Sequence, residues 1–73
     1  MAPSDGDALT VNARGMKCPW PALRAARAMR DRNAIIIEAD DPIAGTELAA
    51  LAVQQGWIFA TLAPHLFSLS RSA

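Results

Sequence analysis

Cys18 is the only cysteine in this chain of 73 residues, and it lies directly before a segment that is patterned as a helix. A cysteine at a helix start lies near the positive end of the helix dipole, which favours the thiolate over the thiol. Arg14 and Lys17, in the preceding segment, would act in the same direction. We therefore expect a reactive thiol whose pKa lies below the ordinary value of about 8.5. The alternative is a small apolar residue in the core, the commonest fate of a free cysteine.

Two prolines determine where the helix begins after Cys18. The run at positions 18–21 is Cys-Pro-Trp-Pro, and proline suits a first helical position because it lacks the N–H that would be unpaired there. The helix therefore starts at Pro19 or at Pro21, and both choices leave Cys18 beside its first turn. Trp20 is open to two interpretations, an exposed contact for a partner or a core aromatic residue.

Length and composition indicate one small globular domain. A chain of 73 residues has room for a single modest core, and 52% of its residues are hydrophobic. We place the domain at residues 8–73 and expect a flexible tail at residues 1–7. No apolar run reaches the length of a membrane span, and the N-terminus has neither a basic stretch nor an apolar signal core. We expect a cytoplasmic protein that makes no contact with a membrane.

The sequence offers few residues that could bind a metal ion or form a disulfide bond. One cysteine rules out an intramolecular disulfide framework, and one histidine cannot complete a zinc site with it. We therefore expect no metal and no cofactor. The histidine, His65, follows Pro64 directly and is interpreted as a turn residue.

Hydrophobic periodicity predicts the element order βαβαββ. Short apolar or alternating runs indicate strands, and apolar residues at helical spacing indicate helices. Asn33 is a predicted left-handed stop for the first helix, Asp41 a predicted cap for the second, and Gly56 the end of the second. The predicted elements are strands at 8–13, 34–39, 57–62 and 66–70, with helices from Pro19 or Pro21 to about Arg32 and from Pro42 to residue 55.

This order predicts an α+β two-layer sandwich, with two helices on one face of a four-stranded mixed sheet. Right-handed crossovers make the first three strands parallel, and the closing hairpin makes the fourth antiparallel to the third. The loops that follow the first three strands then share one edge of the sheet. We expect Cys18, Asp40, Asp41 and His65 at that edge, with Asp40 as the carboxylate that opposes the thiolate.

Positive and negative charges are equal in number but separated along the chain. Six of the seven basic residues lie between positions 14 and 32, and an acidic block follows at 38–47. A basic patch around the thiol would steer an acidic partner surface toward it. The alternative for Arg24, Arg27 and Arg30 is an ordinary solvated helix face. Because the net charge is zero and no aromatic-rich strand motif is present, we expect no direct nucleic-acid binding.

Residues 12–21 read Asn-Ala-Arg-Gly-Met-Lys-Cys-Pro-Trp-Pro, an Asp41-Pro42 pair opens the second helix, and Gly56 closes it. Together these features resemble the TusA (SirA-like) family of sulfur carrier proteins, over residues 9–69. The most specific element is Cys-Pro-x-Pro after Arg-Gly. The resemblance implies the sheet order 1-2-4-3 and a persulfide carried on Cys18. In that order the strand of His65 lies three strand spacings, about 14 Å, from the first strand, too far for direct proton transfer to Cys18.

Four positions depart from the family's pattern. The family has Asp where this chain has Asn12 and Glu47, Leu at Met16, and Gly near Asn33. The change at Met16 preserves side-chain volume, and Asn33 tolerates a left-handed backbone. Asn12 and Glu47 bear on the choice of partner and leave the subgroup of the family open.

The resemblance implies a carrier that takes persulfide sulfur from a cysteine desulfurase or a rhodanese-like donor. It would pass this sulfur to an acceptor protein in tRNA thiolation, cofactor sulfuration or sulfur oxidation. The chain has no second cysteine that would attack the persulfide and form a disulfide with Cys18. This absence favours transport of sulfur over redox cycling. The alternative is a regulatory or protein-interaction domain of the same fold in which Cys18 is structural.

Site residues follow from these interpretations. Cys18 is the expected persulfide-bearing thiol, and its neighbours either adjust its reactivity or contact the partner. The residues expected to tune the thiol are Arg14, Lys17, Pro19 and Pro21, and those expected to dock the partner are Trp20, Arg24 and Arg27.

Overall fold

The computed structural model of the protein describes residues 9–71. The tail predicted at residues 1–7 lies outside the described residues. Among the helices described in this range, none is long and apolar enough to cross a lipid bilayer. The elements follow the predicted order: β1 (Leu9–Asn12), α1 (Trp20–Ala28), β2 (Ala34–Glu38), α2 (Ala44–Gln55), β3 (Trp57–Ala63) and β4 (Leu66–Arg71).

The four strands form one mixed sheet in the order β1-β2-β4-β3. β1 pairs parallel with β2, and Val11 lies opposite Ile37. β4 lies antiparallel between β2 and β3, so that Phe67 has Ile37 on one side and Thr61 on the other. The predicted α+β class, strand directions and sheet order 1-2-4-3 are therefore confirmed.

Both helices pack on one face of this sheet. Alternate strand residues point toward the helices because successive side chains of a strand lie on opposite faces. Since β1 and β2 are parallel neighbours, the loops that follow them leave the sheet at the same edge. The buried core consists of Val11, Ala13, Ile35, Ile37, Ala39, Phe67 and Leu69 from the sheet side and Ala25, Met29, Ala44, Leu48 and Ala52 from the helix side.

α1 ends at Ala28, earlier than the predicted Arg32, and Asn33 is not among the described residues with a positive φ. Both predictions are wrong. The guanidinium of Arg71 donates to the carbonyl of Met29 and, from Nε, to that of Arg32 (3.3 Å). These bonds satisfy the carbonyl of the C-cap residue Met29 and that of Arg32, four residues beyond the helix, in a segment that continues in turns without a left-handed residue.

α2 begins at Ala44, two residues later than predicted. Pro42 and Ile43 form a turn in which the carboxylate of Asp41 accepts the Ile43 N–H (3.0 Å) and its carbonyl accepts the Ala44 N–H (2.9 Å). Asp41 therefore stabilises the turn that precedes the helix and does not cap the first turn of the helix. Gly56 ends the helix in the left-handed region (φ 74°), as predicted.

The contacts of Arg71 generate a prediction about stability. Its guanidinium also lies over the Trp57 ring, 5.6 Å from the centroid. Replacing Arg71 with Met removes this cation–π contact and two hydrogen bonds, and we expect the free energy of unfolding to fall by about 1–2 kcal/mol. Urea denaturation measures the change. The matched variant Arg30→Met, at an exposed position, should stay within about 0.5 kcal/mol of the wild type. Equal losses in both variants would contradict this role of Arg71.

Candidate functional site

Cys18 lies in the turn between β1 and α1, two residues before the helix begins. The peptide bond between Cys18 and Pro19 is cis, and the Trp20 N–H donates to the Lys17 carbonyl across the turn (2.8 Å). Pro21, the second residue of α1, is buried and anchors the helix start in the core. The side chain of Cys18 is exposed.

Two adjacent carboxylates hold the loop that contains Cys18. Asp41 accepts the Cys18 N–H at Oδ2 (2.8 Å), and Asp40 accepts the Gly15 N–H at Oδ1 (2.9 Å). Gly15 takes a positive φ (80°), which glycine adopts without steric cost. Within the loop, Asn12 Oδ1 accepts the Arg14 N–H (3.0 Å). The loop after β1 is thus tied to the loop after β2 by charge-assisted bonds.

The pKa of Cys18 is raised, which contradicts the predicted decrease. Neighbouring protein atoms displace part of the thiol's hydration, which raises the pKa most, and the negative charge of Glu47 opposes the thiolate. The charge of Asp41 acts in the same direction. The prediction was wrong because it weighed the helix start and the sequence neighbours but omitted carboxylates that the fold brings to the thiol.

The two basic residues expected to tune the thiol are engaged elsewhere. Arg14 forms an ion pair with Glu38, with Nε 2.9 Å from Oε1. Lys17 contributes to lowering the pKa of Asp41, although the N–H groups of Ile43 and Cys18 lower it more. The charged groups that shift the pKa of Cys18 are carboxylates. Asp40, the carboxylate expected to oppose the thiolate, binds Gly15, and Asp41 and Glu47 take that role.

Glu47 is the site residue whose role at the thiol the sequence did not reveal. It lies in the first turn of α2, 29 positions from Cys18 in the sequence, and is half-buried. The only signal in the sequence is its departure from the Asp of the TusA pattern, which we interpreted as bearing on partner choice. No rule of local spacing connects a residue in the second helix with a cysteine before the first.

The residues predicted to dock a partner lie together on α1. Trp20 is 60% exposed and Leu23 is 52% exposed, so Trp20 is not a core aromatic residue. Together with Met16, Arg24 and Arg27 they line a cleft of about 320 Å³. The cleft combines apolar side chains with two guanidinium groups, a composition suited to a partner surface that is apolar and acidic.

His65 lies in the turn between β3 and β4, as predicted, with a φ of 65°. Its carbonyl accepts the Ala39 N–H (3.0 Å). Together with Asp41, Phe59 and Phe67, it borders a separate open groove. Within residues 9–71 no group of three or more His, Cys, Asp or Glu side chains could hold a metal ion.

The hydrogen bonds to Asp41 generate a prediction about pH dependence. The backbone N–H groups of Ile43 and Cys18 hold the pKa of Asp41 below its ordinary value of 3.8. A carboxyl group with a lower pKa in the folded than in the unfolded state adds stability above the unfolded pKa, and this stability is lost as pH falls through the folded pKa. We expect Asp41→Asn to destabilise the protein at neutral pH and to do so less below about pH 3.8. Denaturant titrations at several pH values measure this difference, and a difference that stays constant with pH would contradict it.

Comparisons with known proteins agree with the fold. No protein-family model matches the chain, and no curated protein matches it by sequence. Among solved structures, the crystal structure of a SirA-like protein from Desulfitobacterium hafniense matches with a TM-score of 0.76. The two chains are 20% identical, and the match covers 89% of this chain and 99% of the other. The chain therefore has the fold of a SirA-like protein, consistent with the TusA (SirA-like) resemblance of its Cys-Pro-Trp-Pro segment.

Proposed function

We propose that this protein is a sulfur carrier that accepts persulfide sulfur on Cys18 and passes it to an acceptor protein. The observation that carries the proposal is the position of Cys18, an exposed thiol in a turn fastened by the Asp41 carboxylate, before a helix that presents a docking cleft. The SirA-like fold supports the family in general terms, and the sequence motif supports the carrier role within it.

The chemistry is one sulfur–sulfur exchange. Cys18 loses its proton to the solvent, and the thiolate attacks the outer sulfur of a donor persulfide, R–S–SH. A new sulfur–sulfur bond forms on Cys18 as the donor bond breaks, and the departing R–S⁻ takes a proton from the solvent. The products are Cys18–S–SH and R–SH, with no net oxidation. Transfer to an acceptor is the same exchange: the thiolate of the acceptor attacks the outer sulfur of Cys18–S–SH, and Cys18 departs as the thiolate.

The single cysteine suits this exchange. A second thiol in reach would attack the persulfide and release its sulfur as sulfide, with formation of a disulfide. The chain has no second cysteine, so a loaded Cys18 can be discharged only by another molecule. The expected donor is a cysteine desulfurase or a rhodanese-like protein, and the acceptor acts in tRNA thiolation, cofactor sulfuration or sulfur oxidation.

The cleft on α1 is the proposed docking surface for these partners. Trp20 and Leu23 supply exposed apolar area, and Arg24 and Arg27 supply positive charge beside the thiol loop. An acidic donor surface would be steered to this face and oriented by it. The alternative, a regulatory domain in which Cys18 is structural, is disfavoured by the exposure of that side chain.

A loading experiment tests the carrier function. Incubation with a cysteine desulfurase and cysteine, or with glutathione persulfide, should add one sulfur atom to wild-type protein but none to Cys18→Ser. Intact mass spectrometry before and after reduction detects the adduct. Because Cys18 is exposed, Cys18→Ser should change the free energy of unfolding by no more than about 0.5 kcal/mol. A wild-type protein that gains no reducible sulfur, together with a large destabilisation by the serine variant, would favour the structural role.

A second experiment tests the docking surface. We expect Arg27→Glu to slow loading by a cysteine desulfurase about three- to ten-fold at low salt, because charge reversal at an interface mainly lowers the association rate. Loading by glutathione persulfide serves as the reference for the thiol itself. Arg32→Glu makes the same charge change beyond the end of α1 and should leave the desulfurase rate near that of the wild type. An equal decrease in both variants would exclude a local role for Arg27.

A further inference from the structure

β1 is an edge strand, and no described strand pairs with its outer side. The Ala13 N–H donates to the Glu38 carbonyl of β2 (2.8 Å). Because alternate residues of a strand direct their backbone groups to the same side, the N–H and C=O groups of Thr10 and Asn12 point away from β2. The outer edge of β1 therefore offers backbone donors and acceptors to another strand.

The opposite edge of the sheet is less suited to an added strand. β3 lies at that edge, and its pairing with β4 is shifted between Thr61 and Ala63. Such an irregularity bends a strand and interrupts the hydrogen-bonding pattern that a further strand would need. β1 pairs with β2 without a register shift, so β1 is the regular edge.

A groove of about 460 Å³ lies along the outer edge of β1, beside α1. This β1 groove is lined by the four residues of β1 and, from α1, by Arg24, Arg27 and Ala28. None of these described lining residues is acidic. Leu9 lies on the same face of the strand as the buried Val11 but is 37% exposed, so it leaves an apolar contact in the groove.

Arg24 and Arg27 give the β1 groove its charge. Both side chains are exposed, and neither forms an ion pair with another residue among 9–71. Arg14, by contrast, is paired with Glu38. Two unpaired guanidinium groups beside open backbone groups are complementary to carboxylates carried on an extended chain.

We propose, building on the docking role of α1 in the carrier function, that the β1 groove binds an extended acidic segment of a partner protein as an added strand. The backbone of this segment pairs with Thr10 and Asn12. Its alternate carboxylates contact Arg24 and Arg27, which also line the cleft on α1, so the two surfaces are continuous. Because β1 leads into the loop that bears Cys18, the added strand ends beside that loop.

A peptide titration tests this surface. The probe is a blocked octapeptide of alternating glutamate and threonine, which places all its carboxylates on one face when it is extended. We expect saturable NMR shift changes along β1 and slower hydrogen exchange of the Thr10 and Asn12 amides. The matched lysine–threonine peptide should not bind, and added salt should weaken binding of the glutamate peptide.

Two substitutions at Thr10 separate backbone pairing from side-chain contact. Thr10→Pro removes the outward N–H, and proline is tolerated where that group faces solvent on an edge strand. It should weaken peptide binding about ten-fold, the effect of losing one backbone hydrogen bond. Thr10→Val keeps the N–H and should bind like the wild type. Equal binding by the two variants, with circular dichroism showing both to be folded, would overturn the proposal.

A charge reversal gives a test that does not depend on the folding of the proline variant. Arg27→Glu should weaken binding of the glutamate peptide at least about five-fold at low salt, the size of effect that a unit charge at close range gives in water. Arg32→Glu, beyond the end of α1, should bind like the wild type. Equal effects of the two reversals would contradict the assignment to the β1 groove.

Peptide binding requires no sulfur chemistry, so Cys18→Ser should bind like the wild type. A wild type that binds the peptide but accepts no sulfur would leave the β1 groove established and remove the carrier function. A wild type that accepts sulfur but does not bind the peptide would overturn this proposal alone. Slow exchange of the Thr10 and Asn12 amides without peptide, together with a dimeric mass in sedimentation, would assign the edge to a second copy of the chain and also overturn it.

Discussion

The site depends on two adjacent carboxylates at the end of β2 that bind the backbone of the neighbouring loop. Asp40 accepts the Gly15 N–H and Asp41 accepts the Cys18 N–H, so the loop between β1 and α1 is held at both ends. Such charge-assisted bonds are shorter and stronger than neutral ones. The parallel pairing of β1 with β2 makes them geometrically accessible, because both strands end at the same edge. The position of the thiol is therefore a consequence of sheet topology as much as of the Cys-Pro-Trp-Pro segment.

One of the carboxylates that fasten the loop, Asp41, also affects the thiol. A carboxylate is a strong acceptor for an N–H group, but its charge also opposes a thiolate nearby. Loss of hydration raises the pKa of Cys18 most, and the negative charges of Glu47 and Asp41 raise it further.

The exposed face of α1 and its buried face serve separate purposes. Pro21 and Ala25, joined by Met29 after the helix, pack into the core and fix the helix on the sheet. The opposite face presents Trp20 and Leu23 with the arginines of the cleft. Beyond the end of this helix, Arg71 donates to the carbonyl groups of Met29 and Arg32.

The amino-acid sequence by itself determined the element order, the fold class, the end of α2 at Gly56 and the place of Cys18 before a helix. These features depend on periodicity and turn chemistry, which act over a few neighbouring residues. The end of α1 and the environment of the thiol were decided only by the tertiary structure. Arg71 reaches Met29 across 42 positions and Asp41 reaches Cys18 across 23, and both contacts exist only after the strands have paired. Local sequence patterns do not show which distant charged residues the fold brings close to a given atom. For this reason the direction of the Cys18 pKa shift could not be predicted from its neighbours in the sequence.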